Sequence, residues 1–107
     1  PGLLESVYEI CLAKELIKRD LFLERQVGLP VIYKNEKLNM DFRIDMLVQN
    51  EIVVEIKAVE TLLPVHQAQL LTYLRLSDKR LGLLINFNEN LFQRFNQKRI
   101  RIDYLRM

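Results

Sequence analysis

The sequence predicts a mixed α/β (α+β) domain, because segments with helical periodicity alternate with segments that have the composition of strands. Apolar residues recur at helical spacing in residues 2–20 and again in residues 64–77. Residues 38–58 and 81–87 are rich in β-branched and large apolar residues and are bounded by turn-forming residues. A chain of 107 residues without repeats or linkers is expected to form one domain, residues 1–107.

The first helix is expected over residues 2 to about 20. Its apolar positions follow the i, i+3, i+4, i+7 pattern of an amphipathic helix and are Leu4, Val7, Tyr8, Cys11, Leu12 and Leu16. Cys11 is the single cysteine of the chain, so an intrachain disulfide is excluded. Its place on this stripe predicts a buried structural thiol rather than a nucleophile.

Besides the segment 38–58, three segments are expected to be strands. Residues 24–33 have strand composition, and Gly28 and Pro30 within them indicate a bulge or an edge position. Residues 81–87 form a short continuous apolar run, which is typical of a buried central strand. Residues 99–105 alternate like a final edge strand, whereas the segment before them has no clear pattern.

The second helix is expected to begin at Pro64, because proline lacks the N–H that the first helical turn leaves unused. It should end near Ser77. The apolar side chains expected to face inward are Val65, Ala68, Leu71 and Leu74.

The segment 38–58 is expected to be a hairpin whose register brings two carboxylates together. Side chains alternate faces along a strand, so Glu55 and Lys57 must share a face. A three-residue loop over residues 49–51 sets Asp45 directly opposite Glu55, whereas a two-residue loop would send Asp45 to the other face. Facing carboxylates therefore require the longer loop, and Asn50, which tolerates a left-handed backbone, is compatible with it.

Such a pair of carboxylates suits a hard divalent cation. Asp45 and Glu55 offer the oxygen ligands that Mg²⁺ or Mn²⁺ prefers, and like charges facing each other need a cation to offset their repulsion. The alternative is a solvated sheet face with an acidic cross-strand pair. Lys57 could likewise form an ordinary ion pair that contributes roughly 0–1 kcal/mol if exposed.

Three motifs in the sequence resemble those of known nucleases. Asp45 followed by Glu55-Ile56-Lys57 resembles the motif of the PD-(D/E)XK nuclease superfamily, although Ile44 stands where the leading proline is usual. The segment Gly2-Leu3-Leu4-Glu5-Ser6-Val7-Tyr8 resembles the pattern of the bacterial GxxExxY proteins. Gln69-x-x-x-Tyr73 resembles the Q-x-x-x-Y helix motif of RecB-type exonucleases within the superfamily.

The resemblance implies a fold and a set of site residues. The fold would be a restriction-endonuclease-like core of order αβββαβ, with a mixed central sheet flanked by helices and an added terminal strand. The activity would be metal-dependent hydrolysis of phosphodiester bonds. The implied metal ligands are Glu5, Asp45, Glu55 and the carbonyl of Ile56, with Mg²⁺ or Mn²⁺ as cofactor. The implied catalytic residues are Asp45, Glu55, Lys57, Gln69 and Tyr73.

The distribution of charged residues along the chain says more than the net charge. The net charge is only +2, but residues 78–107 carry 7 basic and 3 acidic side chains. The basic residues that crowd the tail are Lys98, Arg99, Arg101 and Arg106, which could follow a phosphate backbone or could simply be a solvated strand. The partner that the resemblance implies is nucleic acid, with DNA as the first expectation, and a homodimer is compatible with it.

The rival to a nuclease is a non-catalytic module of the same fold that binds nucleic acid or a protein, because fold does not establish function. No apolar run approaches the ~20 residues that span a bilayer, so no membrane partner is expected. The absence of a basic-then-apolar leader and the lone thiol predict a cytoplasmic location.

Overall fold

The computed structural model describes residues 3–87 and 98–103, which form two helices and five strands. The predicted order αβββαβ with a terminal strand is confirmed. The elements are α1 (Leu3–Lys18), β1 (Leu23–Tyr33), β2 (Glu36–Val48), β3 (Ile52–Lys57), α2 (Pro64–Ser77), β4 (Leu81–Asn86) and β5 (Lys98–Asp103). Residues 89–97, which the sequence left unassigned, lie outside the described residues, as does the end of the predicted last strand beyond Asp103.

The five strands form one mixed sheet in the order β1-β2-β3-β4-β5. Neighbouring strands are antiparallel except for β3 and β4, which are parallel and joined through α2. A parallel pair requires such a crossover because its strands begin at the same edge of the sheet. The fold is therefore the predicted mixed sheet with flanking helices.

The two helices cover opposite faces of the sheet. Adjacent residues of β3 show this, since Val53 packs in one buried cluster with α2 and Val54 packs in another with α1. The cluster under α2 contains Leu29, Ile44, Leu47, Val53, Leu70, Tyr73, Leu74 and Leu84. The cluster under α1 contains Ala13, Met46, Val48, Val54, Ile56 and Ile85.

The buried face of α1 differs from the predicted one. Glu9 and Ala13 are the buried residues of this helix, whereas Val7 is 49% exposed and Cys11 is exposed, so the prediction of a buried thiol was wrong. The physical reason is that α1 carries apolar side chains on most of its circumference, including the exposed Ile10. Periodicity cannot choose among several apolar faces, and packing against the sheet decides between them.

The buried face of α2 is also rotated from the prediction. The helix begins at Pro64 as expected, but Leu70, Tyr73 and Leu74 are its buried residues, and Val65 is 63% exposed. Leu70 packs onto the backbone of β4 at Gly82, where an added Cβ would lie 3.0 Å from Leu70 Cδ1. A glycine notch on the sheet therefore selects Leu70 as the inward residue, which the pattern of α2 alone does not reveal.

The predicted bulge and hairpin register are both confirmed. The pairing of β1 with β2 shifts between Leu29 and Val31, on either side of Pro30. The β2–β3 turn is the three-residue loop, since Val48 pairs with Ile52. Asn50 adopts a positive φ of 55° in this turn. No helix in the described part of the chain is long and apolar enough to cross a membrane.

Candidate active site

The backbone ladder between β2 and β3 stops one residue short of two carboxylates. The last pair is Met46 with Val54, so Asp45 and Glu55 are the next opposed residues. Side chains replace the backbone bonds there: the Ile56 N–H donates to Asp45 Oδ2 at 2.7 Å, and the Asp45 N–H donates to Glu55 Oε1 at 3.1 Å. The two carboxylates therefore lie in the gap where the strands part, each accepting a bond from the opposite strand.

Asp45 also lies at the point along β1 and β2 where the alternation of side chains between the two faces of the sheet is interrupted. Ile44 packs in the cluster under α2 and Met46 in the cluster under α1, although residues two apart on a regular strand share a face. On β1 the residue opposite Asp45 in the register is Gln26, which has a φ of 53°. A non-glycine residue with positive φ inside a strand marks a local irregularity of the bulge type, and such irregularities re-aim side chains.

Burial controls the charge of both carboxyl groups. Glu55 is only 3% exposed, and this burial, together with the nearby charge of Asp45, raises its pKa from 4.5 to about 9. Burial also raises the pKa of Asp45, while the hydrogen bond from the Ile56 N–H opposes that rise. Lys57 lowers the pKa of both groups, so its ammonium group lies within electrostatic reach of the pair.

The backbone that carries Lys57 is held by the end of β4. Asn86 is buried, and its side chain makes two hydrogen bonds with Val59: the Val59 N–H donates to Asn86 Oδ1 at 2.9 Å, and Asn86 Nδ2 donates to the Val59 carbonyl at 2.8 Å. The Phe87 N–H donates to the Lys57 carbonyl at 2.7 Å. These three bonds fix the chain as it leaves β3, directly beside the lysine.

Helix α2 contributes a tyrosine to the same region. Gln69 Nε2 donates to the Tyr73 hydroxyl at 2.9 Å, and the Tyr73 ring meets Phe42 edge-on at 6.1 Å between centroids. Burial raises the pKa of Tyr73, and the charge of Glu55 raises it further. Tyr73 therefore lies within electrostatic reach of Glu55 and Asp45, and Gln69 is bonded to its hydroxyl.

Helix α1 contributes a carboxylate that the sequence analysis did not select. Glu9 is 4% exposed, accepts bonds from Arg25 Nε at 2.7 Å and from Gln26 Nε2 at 2.8 Å, and raises the pKa of Asp45. Glu5 is partly exposed and makes no hydrogen bond or ion pair with other described residues. Glu9 follows Glu5 by four residues on the same helical face, which is the sequence signal that could have identified it.

A sequence profile of the PD-(D/E)XK nuclease superfamily matches residues 1–100. The chain belongs to this superfamily. The PD-(D/E)XK match covers both helices, β1 to β4 and the candidate site, and it agrees with the mixed sheet described above.

Solved structures show the same fold at low sequence identity. The crystal structure of SSO0001 is 21% identical with a TM-score of 0.74, and the match covers 99% of this chain and 53% of that one. An alkaline exonuclease from Laribacter hongkongensis is 15% identical with a TM-score of 0.67, over 94% of this chain and 56% of that one. This chain therefore spans about half the length of these structural relatives. A search of curated proteins finds no match.

The donor set at the site fits a divalent cation of the kind PD-(D/E)XK nucleases typically use. Asp45 is partly buried and Glu55 is buried, so desolvation disfavours the ionised form of each, and at Glu55 the charge of Asp45 adds to this cost. A hard cation relieves both costs and accepts oxygen ligands of this type. Within the described ranges, no group of three or more His, Cys, Asp or Glu side chains is placed to hold a metal.

The single histidine has a structural role at the start of α2. The Leu63 N–H donates to His66 Nδ1 at 2.9 Å, and the His66 N–H donates to the Leu63 carbonyl at 2.9 Å. These reciprocal bonds cap the amino terminus of the helix. The side chain is therefore engaged at the helix end and not at the carboxylates.

Proposed function

We propose that this chain is a nuclease domain of the GxxExxY type that hydrolyses phosphodiester bonds of nucleic acid, with DNA as the expected substrate and Mg²⁺ or Mn²⁺ as cofactor. The observation that carries the proposal is a pair of facing carboxylates where β2 and β3 separate. Asp45 is partly buried, Glu55 is buried, and both lie within electrostatic reach of Lys57. Perturbed carboxyl groups with a specific charge partner are typical of functional sites.

The cation would be held by Asp45, Glu55 and the Ile56 carbonyl, with Glu5 acting through water from α1. When bound, a divalent cation supplies Lewis acidity that activates water and offsets negative charge on the phosphate. The Ile56 N–H already donates to Asp45 Oδ2, and this bond orients one carboxylate. The rest of the chemistry depends on the protein's own side chains.

Lys57 is proposed to position the attacking water and to stabilise the charge that develops on the phosphate. It is partly exposed, so its ammonium group can reach substrate, while Asn86 and Phe87 fix the backbone that follows it. Tyr73, held by Gln69, is proposed to orient the substrate from the α2 side. A positioned donor acts without reorganisation during the reaction, which is why rigid support of these residues favours catalysis.

The test is cleavage of single-stranded and duplex DNA and RNA, each with Mg²⁺, with Mn²⁺ and with chelator. Asp45→Ala, Glu55→Ala and Lys57→Ala are each expected to abolish most activity while the protein stays folded by circular dichroism. Cleavage that persists in chelator or in Glu55→Ala would refute the proposal. Inactivity on all substrates would instead favour a nucleic-acid or protein-binding module of this fold.

A further inference from the structure

An arginine beside the candidate site uses only part of its guanidinium group in bonds to the described residues. Arg25 Nε donates to Glu9 Oε2 at 2.7 Å, and the Arg25 side chain is 39% exposed, whereas that of Glu9 is 5% exposed. Gln26 Nε2 occupies the other oxygen, Glu9 Oε1, at 2.8 Å. Arg25 is bound to Glu9 through Nε, and its two Nη groups have no hydrogen-bond partner among the described residues.

The position of Arg25 relates it to the site. Arg25 pairs with Met46, and the next residue, Gln26, is opposite Asp45 in the β1–β2 register. The charge of Glu9, the residue that Arg25 binds, contributes to the raised pKa of Asp45, so Glu9 lies within electrostatic reach of that carboxylate. Arg25, whose side chain is 39% exposed, thus lies on β1 next to the strand irregularity that carries Asp45.

We propose that Arg25 binds a backbone phosphate of nucleic acid beside the Asp45–Glu55 site, and that Glu9 and Gln26 are positioning residues for it. This inference rests on the nucleic-acid-binding part of the proposed function. Two adjacent Nη groups match two phosphate oxygens, which a lysine cannot do. The buried carboxylate has already restricted the arginine side chain, so less conformational entropy is lost when phosphate binds.

Glu9 provides a test in which two explanations predict opposite results. A carboxylate that only contributes negative charge near the path of the nucleic acid would repel phosphate, so Glu9→Gln would strengthen binding. If the carboxylate instead orients Arg25, Glu9→Gln would weaken binding, although the substitution makes the net charge of the protein more positive. We expect the second result, a severalfold loss of affinity.

The experiment measures binding of fluorescently labelled single-stranded and duplex DNA by anisotropy, in chelator and over a series of KCl concentrations. Arg25→Ala is expected to lose about tenfold in affinity, as for a charged hydrogen bond. Its salt slope should fall by about 0.7 for single strands or about 0.9 for duplex, the loss of one phosphate contact. Arg80→Ala is the matched control, because Arg80 is exposed at the surface pocket beside the β2–β3 turn, away from Asp45.

Two outcomes would overturn the inference: Arg25→Ala binding like Arg80→Ala, or Glu9→Gln binding more tightly than the unmodified protein. If Arg25→Ala fails to fold, Arg25→Lys decides, since it keeps the charge facing Glu9 and loses the fork. Affinity equal to the unmodified protein in Arg25→Lys would then refute the inference.

Cleavage assays on the same variants separate this inference from the proposed function. Loss of binding in Arg25→Ala with no metal-dependent cleavage by any protein would support the phosphate contact and refute the nuclease proposal. Cleavage by the unmodified protein with unchanged binding in Arg25→Ala would support the nuclease proposal and refute the phosphate contact. An unmodified protein that binds no nucleic acid would overturn both.

Discussion

The raised pKa of Glu55 makes the stability of the metal-free protein depend on pH in an unusual direction. The folded protein holds the Glu55 proton up to about pH 9, whereas the unfolded chain releases it near the ordinary value of 4.5. Between these values the folded state binds more protons than the unfolded chain. The stabilisation that Glu55 contributes is therefore fully present below pH 4.5 and is lost as the pH rises toward 9. The slope approaches about 1.4 kcal/mol per pH unit, or about 2.7 kcal/mol between pH 6 and pH 8.

Urea unfolding in chelator, followed by circular dichroism at pH 6, 7 and 8, measures this slope. Glu55→Gln cannot ionise, so it should be nearly as stable at pH 8 as at pH 6 and more stable than the unmodified protein at pH 8. Glu51→Gln, at an exposed glutamate in the β2–β3 turn, is the matched control and should keep the original slope. Parallel pH profiles for the unmodified protein and Glu55→Gln would refute the reasoning.

Four further outcomes are expected. Saturating Mg²⁺ should flatten the dependence of the unfolding free energy on pH in the unmodified protein and should affect Glu55→Gln less, because the cation replaces the proton on the ionised carboxylate. Denaturation curves that Mg²⁺ leaves unchanged would contradict this. Asn86→Ala should destabilise the protein by about 1–3 kcal/mol, since it leaves two Val59 backbone groups unpaired. It should also lower kcat more than it lowers the metal affinity measured by calorimetry. Tyr73→Phe should leave the urea midpoint almost unchanged and reduce cleavage, which an unaltered rate would disprove. Leu70→Ala should cost about 2–5 kcal/mol by urea unfolding, and a cost below 1 kcal/mol would show that the contact at Gly82 is loose.

Local chemistry was sufficient to determine the elements and the meeting of the two strands. Pro64 begins α2 because proline suits the first helical turn, and the three-residue turn around Asn50 sets the β2–β3 register. With that register, the two-residue period of a strand brings Asp45 opposite Glu55 without any tertiary information. The acidic pair could therefore be predicted because it depends on neighbours that are close along the chain.

The helical faces required tertiary structure, because each helix has more apolar surface than it buries. Leu70 faces inward because Gly82, twelve residues later, leaves space on the sheet for it. Glu9 is buried because Arg25 and Gln26 of β1 supply hydrogen-bond donors at that point. A pattern of hydrophobic residues predicts a charged residue on the outside, and only a partner distant in sequence reverses that preference.

The electrostatic state of the site was likewise decided by the assembled fold. Nothing in the order of residues shows that β1 and β2 exchange faces at Gln26 and Asp45, or that Glu55 keeps 3% of its surface exposed. Desolvation depends on everything packed around a group, and it is the largest cause of the raised pKa of both carboxyl groups. The sequence by itself determined which acids meet, and the packing of both helices on the sheet decided how strongly each holds its proton.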